Sequence, residues 1–388
     1  MYFKNSCPLL AAFLMLLAAA GCSSPEYHRL MARTIAPASE SQIAGQHRIF
    51  LATTRAHSDL EGTIFSGDRS PDTHFAFVDV TVPASHKVGT IERAVNPVVA
   101  DPARYFTARR LGLFETSGDY RKALAREIRE RGGRAMVFVH GYNTAFDDAV
   151  YRITQVAHDS NYPGAVVLFT WPSAGRLVDY LYDQNSVLAS RDALEDMLRL
   201  VASAGATRID VVAHSMGSLV TMEALRQLAM TNDRNLGGKL GDIVLASPDI
   251  DADVFKSQMH RFGLPDANFL ILTSRNDRAL GLSGFLAGRR ERLGAVIDAE
   301  ELARYGVTVV DVTALQSGDA LNHAKFADNP VLVKLLGETL ARENVGAPTD
   351  DTLTTQLSTL TTGIGQTVGT AAGIIITTPF RVFEMVLN

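Results

Sequence analysis

A serine flanked by small residues marks the point where a strand-like pattern gives way to a helical one. The motif is Ala213-His214-Ser215-Met216-Gly217, and it directly follows the short β-branched run 208–213. After it, Leu219, Met222, Leu225 and Leu228 recur at helical spacing. A strand that turns sharply into a helix presents such a serine in a strained, exposed position called a nucleophile elbow. The pattern therefore predicts that Ser215 attacks an acyl carbon.

A serine nucleophile needs a base that takes its proton and an acid that orients the base. In hydrolases with this elbow, the chain order is serine, then acid, then histidine. Only His260 and His323 follow Ser215, and His323 lies in a loop after the apolar run 307–312. His323 is therefore the predicted base. His260 falls in an amphipathic run typical of a surface helix, and His214 is expected to pack because neighbouring side chains at a sharp turn diverge.

The predicted acid is Asp277, which comes just after the apolar run 269–273. Three other aspartates, Asp249, Asp251 and Asp253, follow the run 243–246 and remain alternatives for this role. Capping of a helix N-terminus is the other role that this cluster could have.

Acyl transfer also needs two backbone amides that hold the developing oxyanion. The amide of Met216, directly after the serine, is the first predicted donor. The second is the amide of Tyr142, because the apolar run 135–139 ends in His140-Gly141-Tyr142-Asn143 and Gly141 allows the backbone to approach substrate closely. The alternative for this segment is a Gly-Asn turn with a structural role only.

Four motifs together resemble a bacterial group of esterase/lipase-like α/β-hydrolases, also labelled domain of unknown function 900, in a lipoprotein form. They are His140-Gly141-Tyr142-Asn143, Phe169-Thr170-Trp171-Pro172-Ser173, the Ser215 elbow and Ser247-Pro248-Asp249-Ile250-Asp251. The resemblance covers roughly residues 47 to 342. It implies the α/β-hydrolase fold and a catalytic triad of Ser215, Asp277 and His323, and it does not imply a substrate. Ala213 stands where many hydrolases have glycine.

The coarse pattern independently predicts an α/β fold with a mostly parallel central sheet and helices on both faces. Helices are expected near 186–204 and 330–342, on opposite faces or edges. His47–Ala56 and Phe75–Pro83 are expected to form an antiparallel N-terminal edge. The loop 173–186 is expected either to overhang Ser215 as a pocket wall or lid, or to complete the core with its aromatic residues. The predicted parallel strands are 135–139, 165–170, 208–213, 242–246, 268–273 and 307–312.

The start of the chain resembles a bacterial lipoprotein signal peptide. Lys4 precedes a short apolar stretch that ends in small residues before Cys22. We expect a signal peptide over 1–21, lipidation of Cys22, a tether over 22–44 and a hydrolase domain over 45–345. In this resemblance Ser23 favours anchoring in the outer membrane, facing the periplasm. The uncharged Gly/Thr-rich tail within 346–388 is expected to associate with a membrane or to fold over the domain.

Composition excludes several classes of chemistry. Cys7 and Cys22 are the only cysteines among 388 residues, so the mature domain has no disulfide, cysteine nucleophile or zinc-thiolate site. We expect no metal or other cofactor, and a formal net charge of −5 disfavours nucleic-acid binding. The sequence thus predicts a carboxylic ester hydrolase acting on a small-molecule ester or lipid through an acyl-enzyme. Thioester or amide substrates would use the same residues, and the competing class is a non-catalytic envelope lipoprotein that binds a lipid or protein partner.

Overall fold

The computed structural model describes residues 29–94, 98–295, 298–341 and 374–378. The predicted signal peptide, the predicted lipidation site Cys22 and most of the tail 346–388 lie outside these residues. Over the described ranges, no helix combines the length and the apolar content needed to cross a bilayer.

Twelve strands are found in the described residues, most of them in one large sheet. They are β1 Thr34–Ile35, β2 Ile43–His57, β3 Phe65–Pro83, β4 Val99–Ala100, β5 Thr107–Phe114, β6 Arg134–Val139, β7 Ala165–Thr170, β8 Arg208–His214, β9 Leu240–Ala246, β10 Phe269–Thr273, β11 Thr308–Asp311 and β12 Ile375–Thr377.

Ten α-helices alternate with these strands in the described part of the chain. They are α1 Ser117–Glu130, α2 Phe146–Asp159, α3 Tyr180–Ala189, α4 Arg191–Ser203, α5 Gly217–Met230, α6 Ala252–Phe262, α7 Arg278–Leu286, α8 Ala299–Ala303, α9 Lys325–Asp328 and α10 Pro330–Ala341. Short 3-10 turns occupy Glu40–Gln42, Leu177–Asp179 and Leu293–Ala295.

The large sheet has ten strands in the order β12-β11-β10-β9-β8-β6-β7-β2-β3-β5. From β2 to β11 all neighbouring strands are parallel, whereas β2, β3 and β5 pair antiparallel at one edge. The fold class predicted from the sequence, a mostly parallel sheet with an antiparallel N-terminal edge, is confirmed. The six predicted parallel strands are β6 to β11, with ends within two residues of those expected.

Apolar side chains cover both faces of the sheet, because alternate residues of each buried strand point to opposite sides. One core packs the sheet against α1, α4, α5 and α6 through residues such as Leu124, Leu198 and Leu225. The other packs it against α2 and α10 through Ile153 and Leu336. The helices expected near 186–204 and 330–342 therefore lie on opposite faces, as predicted.

Four segments differ from the expectations. The segment 173–186 is not a loop throughout, since α3 begins at Tyr180. Strand β5 was not predicted, and β12 adds an antiparallel strand beside β11 from within the tail. From Arg29 onward, residues assigned to the tether pack on the domain: Leu30 is buried, and its carbonyl accepts a hydrogen bond from the Tyr151 hydroxyl.

Candidate active site

Ser215 lies in the sharp turn between β8 and α5, where its backbone adopts a φ of +53°. The residue is buried in this structure, not exposed as the elbow motif predicts. This left-handed conformation is costly for a residue with a side chain, and such strain is typical of a nucleophile elbow. Two backbone hydrogen bonds hold the turn against the end of β9. The Ser215 amide donates to the Ala246 carbonyl at 2.9 Å, and the Ser215 carbonyl accepts from the Asp249 amide at 3.1 Å.

Two glycines allow other backbone segments to touch this turn. A Cβ on Gly217 would lie 2.3 Å from the His140 carbonyl oxygen, so α5 can begin here only without a side chain. A Cβ on Gly141 would lie 2.8 Å from both the Ser215 Cβ and the His214 Nδ1. The loop after β6 is thus packed directly against the serine. Met216 is the N-cap of α5, so its amide has no acceptor within the helix.

This contact yields a testable expectation for the loop. Gly141→Ala should push the loop away from Ser215 and lower kcat for ester hydrolysis by about 10²–10³-fold, the usual loss when an oxyanion donor is removed. KM should change little. Gly118→Ala is the matched control, because its new Cβ would meet nothing closer than 3.6 Å. Equal kcat values for both variants would contradict the placement of the oxyanion site beside Gly141.

The predicted acid and base are in direct contact. His323 Nδ1 lies 2.7 Å from Asp277 Oδ2, and the Asp277 side chain is fully buried. Asp277 is also the N-cap of α7, where its other carboxylate oxygen accepts from the Leu280 amide at 3.0 Å. A carboxylate accepts only, so the neutral His323 ring donates from Nδ1. Its Nε2 is then unprotonated and able to accept a proton.

The His323 loop packs beside Ser215 by contacting His214, the residue that precedes Ser215 in the chain. His214 Nε2 donates to the His323 carbonyl at 3.2 Å, and the centroids of the two rings are 4.7 Å apart. Within the described residues, the Ser215 hydroxyl makes no hydrogen bond to the His323 ring; in free enzymes such catalytic contacts are often long. Burial holds the pKa of His214 well below its usual value, so this ring stays neutral and packs, as expected.

Two residues that the sequence analysis did not single out position the acid and base loops. The Asp319 carboxylate accepts from the backbone amides of His323 at 3.0 Å and Ala324 at 2.6 Å. The buried Lys325 Nζ donates to Ser274 Oγ at 2.8 Å and Asn276 Oδ1 at 2.7 Å, in the loop that carries Asp277. Lys325 therefore ties the two loops together, and burial lowers the pKa of its ammonium group.

Lys325→Met keeps an unbranched side chain, one atom shorter, and removes its donors. We expect kcat to fall by about 10–10²-fold with little change in KM, because small displacements of catalytic groups have effects of this size. The free energy of unfolding should fall by about 1–3 kcal/mol, since buried partners lose their donor. Lys334→Met, at an exposed lysine of α10, is the control. A Lys325→Met enzyme with normal kcat and reduced stability would show that the lysine is structural only.

The alternative acids have other partners. Asp249 forms a buried ion pair with Arg292 at 3.2 Å and accepts from the hydroxyls of Tyr180 at 3.0 Å and Ser283 at 2.8 Å. Asp251 caps α6, and Asp253 is exposed near Lys256. None of the three contacts His323 in the described structure. Arg292, the last residue of the basic run 289–292, is buried.

A buried arginine, Arg55, stabilises the loop that carries the predicted amide donor Tyr142. Arg55 donates to the carbonyls of Thr144 at 2.7 Å and Ser173 at 3.0 Å and to Thr170 Oγ1 at 2.9 Å. His140 stacks on Trp171 with ring centroids 4.9 Å apart, and its Nδ1 donates to the Gly141 carbonyl. Burial lowers the pKa of His140 to about 3, so the ring is neutral and positions the loop.

The buried Asp183 of α3 also stabilises the Tyr142 loop, through hydrogen bonds to that loop and to the segment after β7. Its carboxylate accepts from Ser173 Oγ at 2.5 Å, from the Ala174 amide at 2.8 Å and from the Asn143 amide at 3.4 Å. Burial raises the pKa of Asp183. Sequence reasoning missed Arg55, because its partners Thr144 and Ser173 are distant in the chain. It missed Asp183, because no local pattern marks the contacts of this carboxylate with Ser173 and Ala174. His260 lies on α6 and is exposed, as predicted.

Several solved structures of esterases and lipases are similar to this chain. Lipase B of Aspergillus fumigatus matches at 14% identity and a TM-score of 0.38, over 57% of this chain and 55% of that one. Brefeldin A esterase, a bacterial homologue of human hormone sensitive lipase, matches at 12% identity and a TM-score of 0.38, over 87% of each chain. An esterase of Pyrobaculum calidifontis matches at 12% identity and a TM-score of 0.30, over 69% of this chain and 80% of that one. The alignment spans about half of lipase B. No curated protein sequence matches this chain.

A family model, described as alpha/beta hydrolase of unknown function (DUF900), matches residues 117–339, more than half of the chain. The matched range contains Ser215, Asp277, His323 and both predicted amide donors. The resemblance to this α/β-hydrolase family is confirmed, and the chain belongs to it.

Proposed function

We propose that the protein is a serine hydrolase that cleaves carboxylic esters through an acyl-enzyme. The observation that carries this proposal is the hydrogen bond between Asp277 and His323. The His323 loop contacts His214, which directly precedes the strained Ser215. An acid-oriented histidine beside a left-handed serine is the arrangement that acyl transfer needs. A binding protein would need neither the backbone strain at Ser215 nor a buried carboxylate on the histidine.

The reaction proceeds in two halves. The Ser215 hydroxyl attacks the ester carbonyl while His323 Nε2 takes its proton, and the Asp277 carboxylate stabilises the resulting imidazolium. The amides of Tyr142 and Met216 hold the oxyanion of the tetrahedral intermediate. Collapse of the intermediate breaks the ester C–O bond, and the imidazolium protonates the departing alcohol. Water, deprotonated by His323, then attacks the acyl-enzyme and releases the carboxylic acid and free Ser215.

We further propose that the mature protein is lipidated at Cys22 and faces the periplasm from the outer membrane, as the start of the sequence suggests. Its substrate is then a small-molecule ester or lipid of the cell envelope. The test of this location is metabolic labelling with a fatty-acid analogue, followed by separation of inner and outer membranes. Label that persists in Cys22→Ser, or protein recovered in the inner membrane, would contradict it.

Hydrolysis of nitrophenyl esters from acetate to laurate tests the activity. We expect turnover above the uncatalysed rate with at least one acyl length, and the preferred length reports the size of the acyl pocket. Thioester and amide analogues of the preferred ester should then be compared. Saturable binding of these esters without any turnover would instead favour the non-catalytic lipoprotein.

A further inference from the structure

Helix α7 carries an exposed apolar face beside the candidate active site. Leu282, Phe285 and Leu286 recur at helical spacing and are 55%, 62% and 54% exposed, whereas Leu280 and Ser283 on the opposite face are buried. The outer face of a surface helix is ordinarily polar. Here the hydrophobic side chains point away from the domain, so this is the reverse of the usual pattern.

A second exposed apolar group lies on the neighbouring element, α3, and the turn before it. Val178 is 72% exposed and Leu181 is 69% exposed. Asp249 links the two helices that carry these groups, because it accepts from the Tyr180 hydroxyl of α3 and from the Ser283 hydroxyl of α7. We call these five side chains, Val178, Leu181, Leu282, Phe285 and Leu286, the apolar rim.

The rim adjoins the candidate catalytic residues. Helix α7 begins directly after Asp277, the carboxylate that contacts His323. The Asp249 amide, on the residue that joins the two halves of the rim, donates to the Ser215 carbonyl. A surface that covered the rim would therefore lie against the entrance to Ser215.

The charges on the α7 side of the rim are mainly positive, whereas on the α3 side Asp179 pairs with Arg176. The segment 278–292 holds four arginines and a single acid, Glu291. Arg292 is paired with Asp249, whereas Arg289 and Arg290 are exposed and have no ion pair among the described residues. Exposed apolar side chains flanked by arginines are the composition of a segment that lies in the interface of an anionic membrane, with the arginines at the headgroups.

We propose that the apolar rim docks on the surface of an anionic phospholipid bilayer. Leu282, Phe285 and Leu286 enter the acyl region while Arg289 and Arg290 contact lipid phosphates. Together with the proposed function, on which this step rests, the placement assigns the substrate class: acyl esters presented by the membrane surface, which reach Ser215 without crossing water. The docking itself needs no catalysis and is tested separately.

The test uses the chain of residues 23–388, which lacks the predicted lipid attachment site, in flotation with vesicles. We expect the chain to bind phosphatidylcholine vesicles that contain about a third phosphatidylglycerol. Binding should be weaker to vesicles of phosphatidylcholine alone and at high salt. The double variant Leu282→Ser/Phe285→Ser should reduce the partition coefficient at least about tenfold, since two apolar side chains are lost from the interface. Arg289→Gln and Arg290→Gln should each reduce it about fivefold.

Leu264→Ser is the matched control, because Leu264 is equally exposed but precedes β10, at the opposite end of the sheet. It should bind vesicles as the unaltered chain does. Wild-type flotation that is absent, or equal to that of the double variant, would overturn the proposal. So would a dimer that the double variant abolishes, because a second copy would then cover the rim.

Ser215→Ala separates this proposal from the proposed function. It should bind vesicles as the unaltered chain does, even if the protein hydrolyses no ester. Normal hydrolysis of soluble esters without vesicle binding would overturn the docking surface alone.

Discussion

Ser215→Ala is expected to abolish ester hydrolysis, with kcat lowered by at least about three orders of magnitude. The triad acts as a unit, so removal of the nucleophile leaves only the contribution of the oxyanion site and of substrate binding. The variant should fold normally, because alanine keeps the Cβ of serine and removes only its hydroxyl. The measurement is kcat for the preferred nitrophenyl ester.

Ser218→Ala is the control for this experiment. Ser218 is the second residue of α5, is buried like Ser215, and its hydroxyl donates to the Ala213 carbonyl at 3.4 Å. Its kcat should stay within a few-fold of the unaltered enzyme. A Ser215→Ala variant with a loss smaller than about tenfold would mean another nucleophile or background hydrolysis, since a working triad loses far more.

Asp277→Asn should have the second largest effect, a fall in kcat of about 10³–10⁴-fold. The amide can still cap α7 through its oxygen, so the fold is retained. Its NH₂ group, however, can donate toward His323 Nδ1 and favour the tautomer that carries the proton on Nε2. That ring cannot accept the Ser215 proton, and the loss should therefore lie in kcat, with KM little changed.

Asp249→Asn distinguishes this role from that of a buried structural acid. It leaves Arg292 without its charged partner in the interior, and we expect the free energy of unfolding to fall by about 3–5 kcal/mol. The kcat of the folded enzyme should fall far less than in Asp277→Asn. The reverse order of kcat values would assign the orienting acid to Asp249.

The sequence allowed prediction of the parts of the molecule whose signals are local. Each parallel strand is a short apolar run, and the Ser215 turn joins a strand pattern to a helix pattern within five residues. The chain order of serine, acid and histidine then restricted the other two candidates to a few positions. Asp277 and His323, 46 residues apart in the chain, are brought together by the adjacent strands β10 and β11.

Elements held by tertiary contacts could not be predicted in this way. Helix α3 lacks an apolar stripe, because its buried side carries the polar residues Asp183 and Ser186. Their side chains are held by hydrogen bonds to Ser173 and Arg69. Strand β5 exposes Arg109 and Arg110 at a sheet edge and so lacks the alternation of a half-buried strand. Arg55 and Lys325 position loops through partners that no spacing rule connects to them.

The most direct test of the central claim is the site of covalent modification by a fluorophosphonate probe. The probe phosphonylates a serine activated by a neighbouring base, with loss of fluoride, and peptide mass spectrometry identifies the residue. We expect one adduct per chain, on the peptide that contains Ser215, and much slower modification in Asp277→Asn. An unmodified protein, or an adduct on any other residue, would contradict it.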